Sequence, residues 1–284
     1  MRIAHIVMTH KNPAQLARLI KSLQHKDFDF YIHLDKKISI DDFLFLEKMD
    51  QVFFIRNRIK CNWGGWNFTQ GIINCINEII SLNKNYNFIN LLSAQDYPIS
   101  SVTEIHNYLS ERPSQNFINF APDNSDWWAA APERYEKYHL TDVNISGKYF
   151  FQRMINKILP KRKFPENLKL YGGSDSSWWT LSGDCAQHVA EMVTKNKKLN
   201  NFLKYCWGTD EFIIATLVMN SDFKNKTNNN NLRYIDWSEG NAHPKMLKIE
   251  DYSNLKSSTM HFARKFDTEI DEVILDKIDK ELIS

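Results

Sequence analysis

Apolar positions along the first third of the chain fall into short, mostly apolar runs separated by stretches of helical spacing. Ile3–Met8 (IAHIVM) is one such run and predicts a buried first strand. Asn12-Pro13 follows, with Asn12 suited to an N-cap and Pro13 to the first helical position, and Leu16, Leu19, Ile20 and Leu23 then recur on one helical face. Tyr31–Leu34 predicts a second strand ending at Asp35, Asp41–Met49 a short helix, and Val52–Ile55 a third strand. Thr69–Asn83 reads as an amphipathic helix, and Phe88–Leu92 as a fourth strand running into Ser93-Ala-Gln-Asp96. This alternation predicts an α/β fold with a mostly parallel central sheet and helices on both faces. Ligands of such sheets bind beyond the carboxyl ends of the strands, where His10, Asp35 and Ser93–Asp96 fall.

The rest of the chain is less regular. Glu104–Glu111 predicts a helix and Phe117–Phe120 a strand. Residues 121–170 are aromatic and basic, with Lys161-Arg-Lys163 as a charged loop. Residues 171–182 read as a loop entering a strand, 184–196 and Thr209–Met219 as helices, and Leu232–Trp237 as a late strand. Asp251–Ser257 reads as a short helix, His261–Phe266 as a loop or strand, and 269–283 as a terminal helix. With no repeat or linker, 1–284 is expected to form one domain.

Composition narrows the class. The 284 residues are 43% hydrophobic and 25% charged, which excludes disordered, collagen-like and coiled-coil chains. Net charge is +2, so the chain has no general field for nucleic acid, and none is expected as a partner. Cysteines at 61, 75, 185 and 206 have neither CxxC nor zinc spacing. No apolar stretch approaches the ~18 residues of a membrane span. The cytoplasm is the simplest location, with peripheral attachment at the inner membrane as its variant, and the sequons at Asn67, Asn144 and Asn225 then carry no meaning. The eight tryptophans, several in pairs (Trp63/Trp66, Trp127/Trp128, Trp178/Trp179), admit a core reading and a sugar-stacking one.

There is no P-loop, no GxGxxG after the first strand and no GxSxG elbow. The one DxD, Asp27-Phe-Asp29, precedes the second strand and reads as a solvated turn. Six segments do form a pattern: His5-Ile-Val-Met-Thr-His10, Tyr31-Ile-His-Leu-Asp35, Asn90-Leu-Leu-Ser-Ala-Gln-Asp-Tyr-Pro98, Gly173-Ser-Asp-Ser-Ser-Trp-Trp179, Gly208-Thr-Asp-Glu-Phe212 and His261-Phe-Ala-Arg-Lys-Phe266. In this order they resemble glycosyltransferase family 14, the core-2/I-branching β-1,6-N-acetylglucosaminyltransferases and related peptide xylosyltransferases. The resemblance covers nearly the whole chain. It implies a GT-A-like nucleotide-sugar-binding fold, with 1–120 as the nucleotide-binding half and 121–284 as the acceptor-binding and catalytic half, a UDP-sugar donor, inversion at the anomeric carbon and no metal or other cofactor. The chain resembles a compact bacterial member without the anchor and stem of the animal enzymes.

The site residues follow from that resemblance, each against a plainer role. Inverting transfer needs one carboxylate beside the acceptor hydroxyl. Asp210 and Glu211 are adjacent, about 100° apart on a helix, and their chemistry leaves the choice open; the family pattern selects Glu211. The departing diphosphate needs fixed cations. The pattern points to Lys265, next to Arg264 and set to face away from it, and to Lys245 in His243-Pro-Lys245, with Lys248 as a substitute. Thr9, His10 and Asp35 are implied near the nucleoside, and Asp96 near the donor sugar. Glu133, Arg134, Ser174, Trp178 and Trp237 are implied on the acceptor side, a glycan or lipid-linked glycan, with Trp63 and Trp66 left to packing. The expected reaction is β-1,6 GlcNAc transfer in bacterial surface polysaccharide synthesis. The rivals are a UDP-xylose or other UDP-hexose transferase of the same fold and a non-catalytic carbohydrate-binding protein.

Overall fold

The computed structural model describes residues 1–284. Its strands are β1 (Ile3–Thr9), β2 (Phe28–Leu34), β3 (Val52–Phe54), β4 (Phe88–Ser93), β5 (Asp96–Pro98), β6 (Asn116–Ile118), β7 (Trp179–Ser182), β8 (Thr227–Asn228), β9 (Arg233–Ile235) and β10 (Phe262–Arg264). The helices are α1 (Pro13–Ser22), α2 (Trp66–Ser81), α3 (Val102–Ser110), α4 (Asp126–Ala130), α5 (Pro132–Tyr135), α6 (Lys148–Ile158), α7 (Gly183–Lys195), α8 (Lys197–Leu203), α9 (Ile213–Met219), α10 (Tyr252–Ser257) and α11 (Val273–Glu281), joined in places by 3₁₀ segments, the longest being Asp41–Lys48.

The apolar runs become the centre of a seven-stranded sheet of order β3-β2-β1-β4-β7-β6-β8. The β1–β2, β1–β4 and β2–β3 pairs are parallel, and β7 runs antiparallel between β4 and β6. β1 shows why both faces must be covered. Ile3 and Val7 enter one core with α1 and α11, while Ala4, Ile6 and Met8 enter a second with α2, α7 and α9. Side chains alternate across a strand, so a wholly apolar run buries on both sides. This is the mostly parallel, two-sided α/β architecture that the sequence predicts. No helix is long and apolar enough to cross a membrane.

A small second sheet, β5-β10-β9, lies at the carboxyl end of the first. It joins the chain's halves, because β5 pairs with β10, Phe262 facing Pro98 and Arg264 facing Asp96. Buried Arg233 on β9 fastens it to the main sheet. Its guanidinium donates to the Trp179 and Leu91 carbonyls, at 3.1 and 2.9 Å, to Thr180 Oγ1 at 2.9 Å, and to Asn90 Oδ1.

Local signals held where they were strongest. Asn12 caps α1, accepting from Gln15 N at 3.0 Å, with Pro13 as the first helical residue. Other expectations are corrected. The second amphipathic helix begins at Trp66, not Thr69, because the Trp66 ring is itself core. The 121–170 stretch contains α4, α5 and α6, and α8 follows α7. Lys161-Arg-Lys163 is not a free charged loop. Arg162 turns inward onto the carbonyls of Lys137, Phe202 and Tyr205, and Lys161 pairs with Glu136. Asp29 of the DxD is not solvated either. It is buried, paired with Arg2 and Lys84, and accepts from Tyr86.

Candidate active site

A cleft of about 620 Å³ opens beyond the carboxyl ends of β1, β2 and β4. It brings together Thr9, His10, Asp35, Ser174, Trp178, Trp237, Glu211, Arg264 and Lys265 from six sequence segments. Trp63, Trp178, Trp207 and Trp237, four of the eight tryptophans, line it, so the aromatic excess concentrates at the cleft as well as in the core.

Glu211 owes its place to a broken helix. The predicted helix from Thr209 begins instead as one 3₁₀ turn, Thr209–Glu211, and the α-helix starts at Ile213 after Phe212 at φ −141°. The Glu211 carbonyl accepts from Gly173 N at 2.9 Å rather than from the next helical turn. Gly172 permits that approach, since a Cβ there would stand 2.6 Å from the same carbonyl oxygen. The carboxyl group is then fixed from behind. Trp127 Nε1 donates to Oε2 at 2.9 Å, and Arg134 Nη2 lies 2.9 Å from the same oxygen. Oε1 is left toward the cleft.

Arg134 is itself gripped. Its guanidinium carbon lies 5.1 Å from the Trp127 ring centre and 4.5 Å from that of Trp207, within cation–π range. Gly208, at φ +61°, leaves room for it, because a Cβ there would collide with Nη1. Asp210 lies beside Glu211 but turns to Ser177, whose hydroxyl donates to it at 2.7 Å.

Two donors favour the Glu211 anion, yet its pKa is pushed up to about 7. Burial is the larger cause and the Asp210 charge the second, and together they outweigh Arg134 and Trp127. Burial raises Asp210 as well. A carboxyl group poised near neutrality can take a proton at working pH. If Glu211 is the base, activity rises with pH through about 7 as the carboxylate forms. Arg134→Gln removes a cation that holds this value down, so the rising limb should move to higher pH by about one unit, with Arg134→Lys restoring part of the shift. A pH–rate profile of the three proteins checks this; an unmoved limb would mean that Glu211 is not the titrating group.

The opposite wall carries the cations. Arg264 is buried at the floor, its guanidinium carbon 4.0 Å from the Trp178 ring centre and its Nε 3.1 Å from Asp96. Asp175 and Asp210 also act on its charge. The expectation that Arg264 faces away from the cleft is corrected: β10 ends at Arg264, so strand alternation does not extend to Lys265. Lys265 is half-buried in the wall, and its pKa is lowered by burial first and then by Arg264 and Lys11. An ammonium among cations in a part-dry cleft is set to receive an anion. Asp96 lies beneath the lining, fully buried, accepting from Ser93 N and Oγ, each at 2.9 Å.

Several implied residues stand apart. Lys245 is outside the lining, because Asp251 holds its ammonium at 2.6 Å. Glu133 pairs with Lys137 one helical turn on and is 65% exposed away from the cleft. Arg134 serves Glu211 from behind rather than lining the cleft. Trp237 does face it, its Nε1 donating to Asp175 at 2.6 Å. Trp66 is core as expected, but Trp63 is 68% exposed at the rim, edge-on to Trp207. Sequence reasoning missed Trp127, which holds Glu211, and Trp207, which packs on Arg134. It also missed Lys37, a cleft cation whose signal was its position just past the second strand.

Residues 3–261 match the family model described as Branch: Core-2/I-Branching enzyme. Over 308 aligned residues the chain is 25% identical to the protein of Ciona intestinalis named Xylosyltransferase, covering 99% of this chain and 34% of that protein. Xylosyltransferase 1 of Rattus norvegicus is also 25% identical over 308 residues, with 99% and 35% covered. The chain thus spans about a third of the length of the curated relatives it matches. Among solved structures, apo mouse xyloside xylosyltransferase 1 aligns at a TM-score of 0.39 and 10% identity, over 92% of this chain and 97% of that one. Residues 1–349 of S. aureus TarS align at 0.34 and 11%, over 80% and 68%.

Proposed function

The chain belongs to the Core-2/I-branching enzyme family of glycosyltransferases, and on that premise we propose that it moves a sugar from a UDP-sugar to a glycan hydroxyl, with inversion and without a metal. The observation that carries this reading is Glu211, clamped on one oxygen and poised near neutrality in the cleft.

The acceptor hydroxyl would give its proton to Glu211 Oε1 as its oxygen bonds to the anomeric carbon. The bond from that carbon to the β-phosphate oxygen breaks on the opposite side. The charge growing on UDP is then met by Lys265, with Arg264 beside it at the floor of the cleft. Thr9, His10 and Asp35, at the first two strand ends, suit the nucleoside, and Trp237 and Trp63 offer faces to sugar rings. A carbohydrate-binding role alone gives no reason for a clamped carboxylate opposite a cationic wall.

Metal independence is supported by the same wall. Asp96, where a metal ligand would be sought, is already engaged by Ser93 and Arg264. His25, Asp27 and His106 approach within ligand distance of one another, but at the amino end of β2, opposite the cleft. Activity should persist in full with EDTA, measured as UDP release. Loss in EDTA with recovery on Mn²⁺ would overturn the cationic account and return Asp96 to the ligand set.

Two donors compete. UDP-GlcNAc belongs with β-1,6 branching of a bacterial surface glycan, whereas UDP-xylose is favoured by the names of the curated relatives. UDP release from each, with and without glycan acceptors, decides between them. Release from neither would overturn the proposal.

A further inference from the structure

Helix α6 is amphipathic but turned the reverse way for a helix packed on a soluble domain. Its polar side chains face the protein: Gln152 Oε1 accepts from Leu140 N, and Asn156 brackets Tyr138, accepting from its N–H and donating to its carbonyl, all at 2.8 Å. Phe150, Phe151, Met154 and Ile158, at helical spacing, face out, with Phe150 56% and Ile158 73% exposed. Seven of the chain's seventeen exposed large apolar side chains fall within residues 145–159. Isolated exposed apolar residues are ordinary; a continuous stripe marks an interaction surface.

Charge says what covers it. Between Asp142 and Glu166 there is no acidic residue, while Lys148, Arg153, Lys157 and Lys163 lie there beside the already engaged Lys161 and Arg162, in a chain whose net charge is only +2. At 100° per residue, Arg153 and Lys157 border the apolar stripe. We propose that α6 and its basic flank form a docking surface for an anionic lipid bilayer, the helix lying in the interface with the aromatic stripe among the acyl chains and the basic border at the headgroups. A second copy of the chain is the poorer occupant, since two-fold pairing would set one basic border against another.

The place of the surface suits the cleft. The 138–141 segment beneath α6 leads to Asp142, which accepts from Asn62 Nδ2 at 3.0 Å and Asn67 N at 2.8 Å. Asn62–Gly64 form part of the cleft wall. A docked bilayer would therefore lie on the acceptor side.

The test is sedimentation of the full chain with vesicles of phosphatidylcholine alone or mixed with phosphatidylglycerol. Binding should require the anionic lipid and weaken with salt. Phe150→Ser/Phe151→Ser/Ile158→Ser and, separately, Arg153→Glu/Lys157→Glu should each lower the partition coefficient about tenfold or more, with the thermal melt unchanged. If the apolar triple variant fails to fold, the charge-reversal variant alone decides. The proposal is overturned by absence of binding to anionic vesicles at low salt, or by binding that neither variant reduces. It is also overturned by a concentration-dependent dimer that the triple variant disperses, which would make the stripe an interface between copies.

Discussion

Glu211→Gln lowers turnover by about 10²–10⁴-fold while UDP-sugar binding stays nearly intact. The amide keeps the shape of the carboxylate, and its oxygen can still accept from Trp127 Nε1, so the cleft wall holds its form. What disappears is the capacity to take a proton near pH 7. Arg134 loses its anion, and its Nη1 is already buried without an acceptor, so a modest fall in melting temperature should accompany the kinetic loss. Asp210→Asn is the contrasting variant. Removing that neighbouring charge lets Glu211 ionise at lower pH, so the rising limb moves down and turnover persists. Turnover with UDP calorimetry separates the two. An active Glu211→Gln protein, or an inactive Asp210→Asn protein that still binds UDP, would move the base to Asp210.

Lys265→Ala should weaken UDP binding and also reduce turnover at saturating donor, each by about tenfold or more. On the proposed assignment the ammonium would meet the diphosphate in both states, but more strongly as charge builds on the leaving group. Lys245→Ala is the control. Asp251 already neutralises that ammonium outside the cleft, so UDP affinity should not change. Arg264→Ala is a different experiment. It removes a buried cation and leaves Asp96 without its counter-charge, a change that destabilises by about 3–5 kcal/mol. A lowered melting temperature should therefore dominate its phenotype. Calorimetric titration of UDP with thermal melts on all three variants checks the set. UDP affinity that falls with Lys245→Ala and not with Lys265→Ala would place the diphosphate on the other side of the cleft.

The parts of this protein legible in its sequence are those fixed by local rules. Strands buried on both faces are mostly apolar runs, and the Asn12-Pro13 cap needs four consecutive residues. The mouth of the cleft was legible too, because strand ends can be counted. What was not legible depends on where distant side chains land. Nothing near Lys245 in the family pattern shows that Asp251, six residues on, will capture it. The clamp on Glu211 draws Trp127, Arg134 and Trp207 from three segments, and only the folded chain brings them together. Glu133–Lys137 is a pair between α5 and the residues just past its end that the four-residue spacing could have disclosed. Helix α6 escaped because a stripe that faces away from the core gives the same periodicity as one that faces it.

The antiparallel pairing of β5 with β10 has a consequence for how the molecule is made. The strand that delivers Arg264 and Lys265 is made long after its partner, Phe262 pairing with Pro98. Until that non-local contact closes, a nascent chain has the first strand ends of the cleft but lacks Arg264 and Lys265, and such closures are slow steps of folding. On the proposed function, UDP would therefore bind the chain after this closure and not its precursors. By mass action it would draw late intermediates toward completion, so that in a refolding experiment the donor product serves as a marker of the final event.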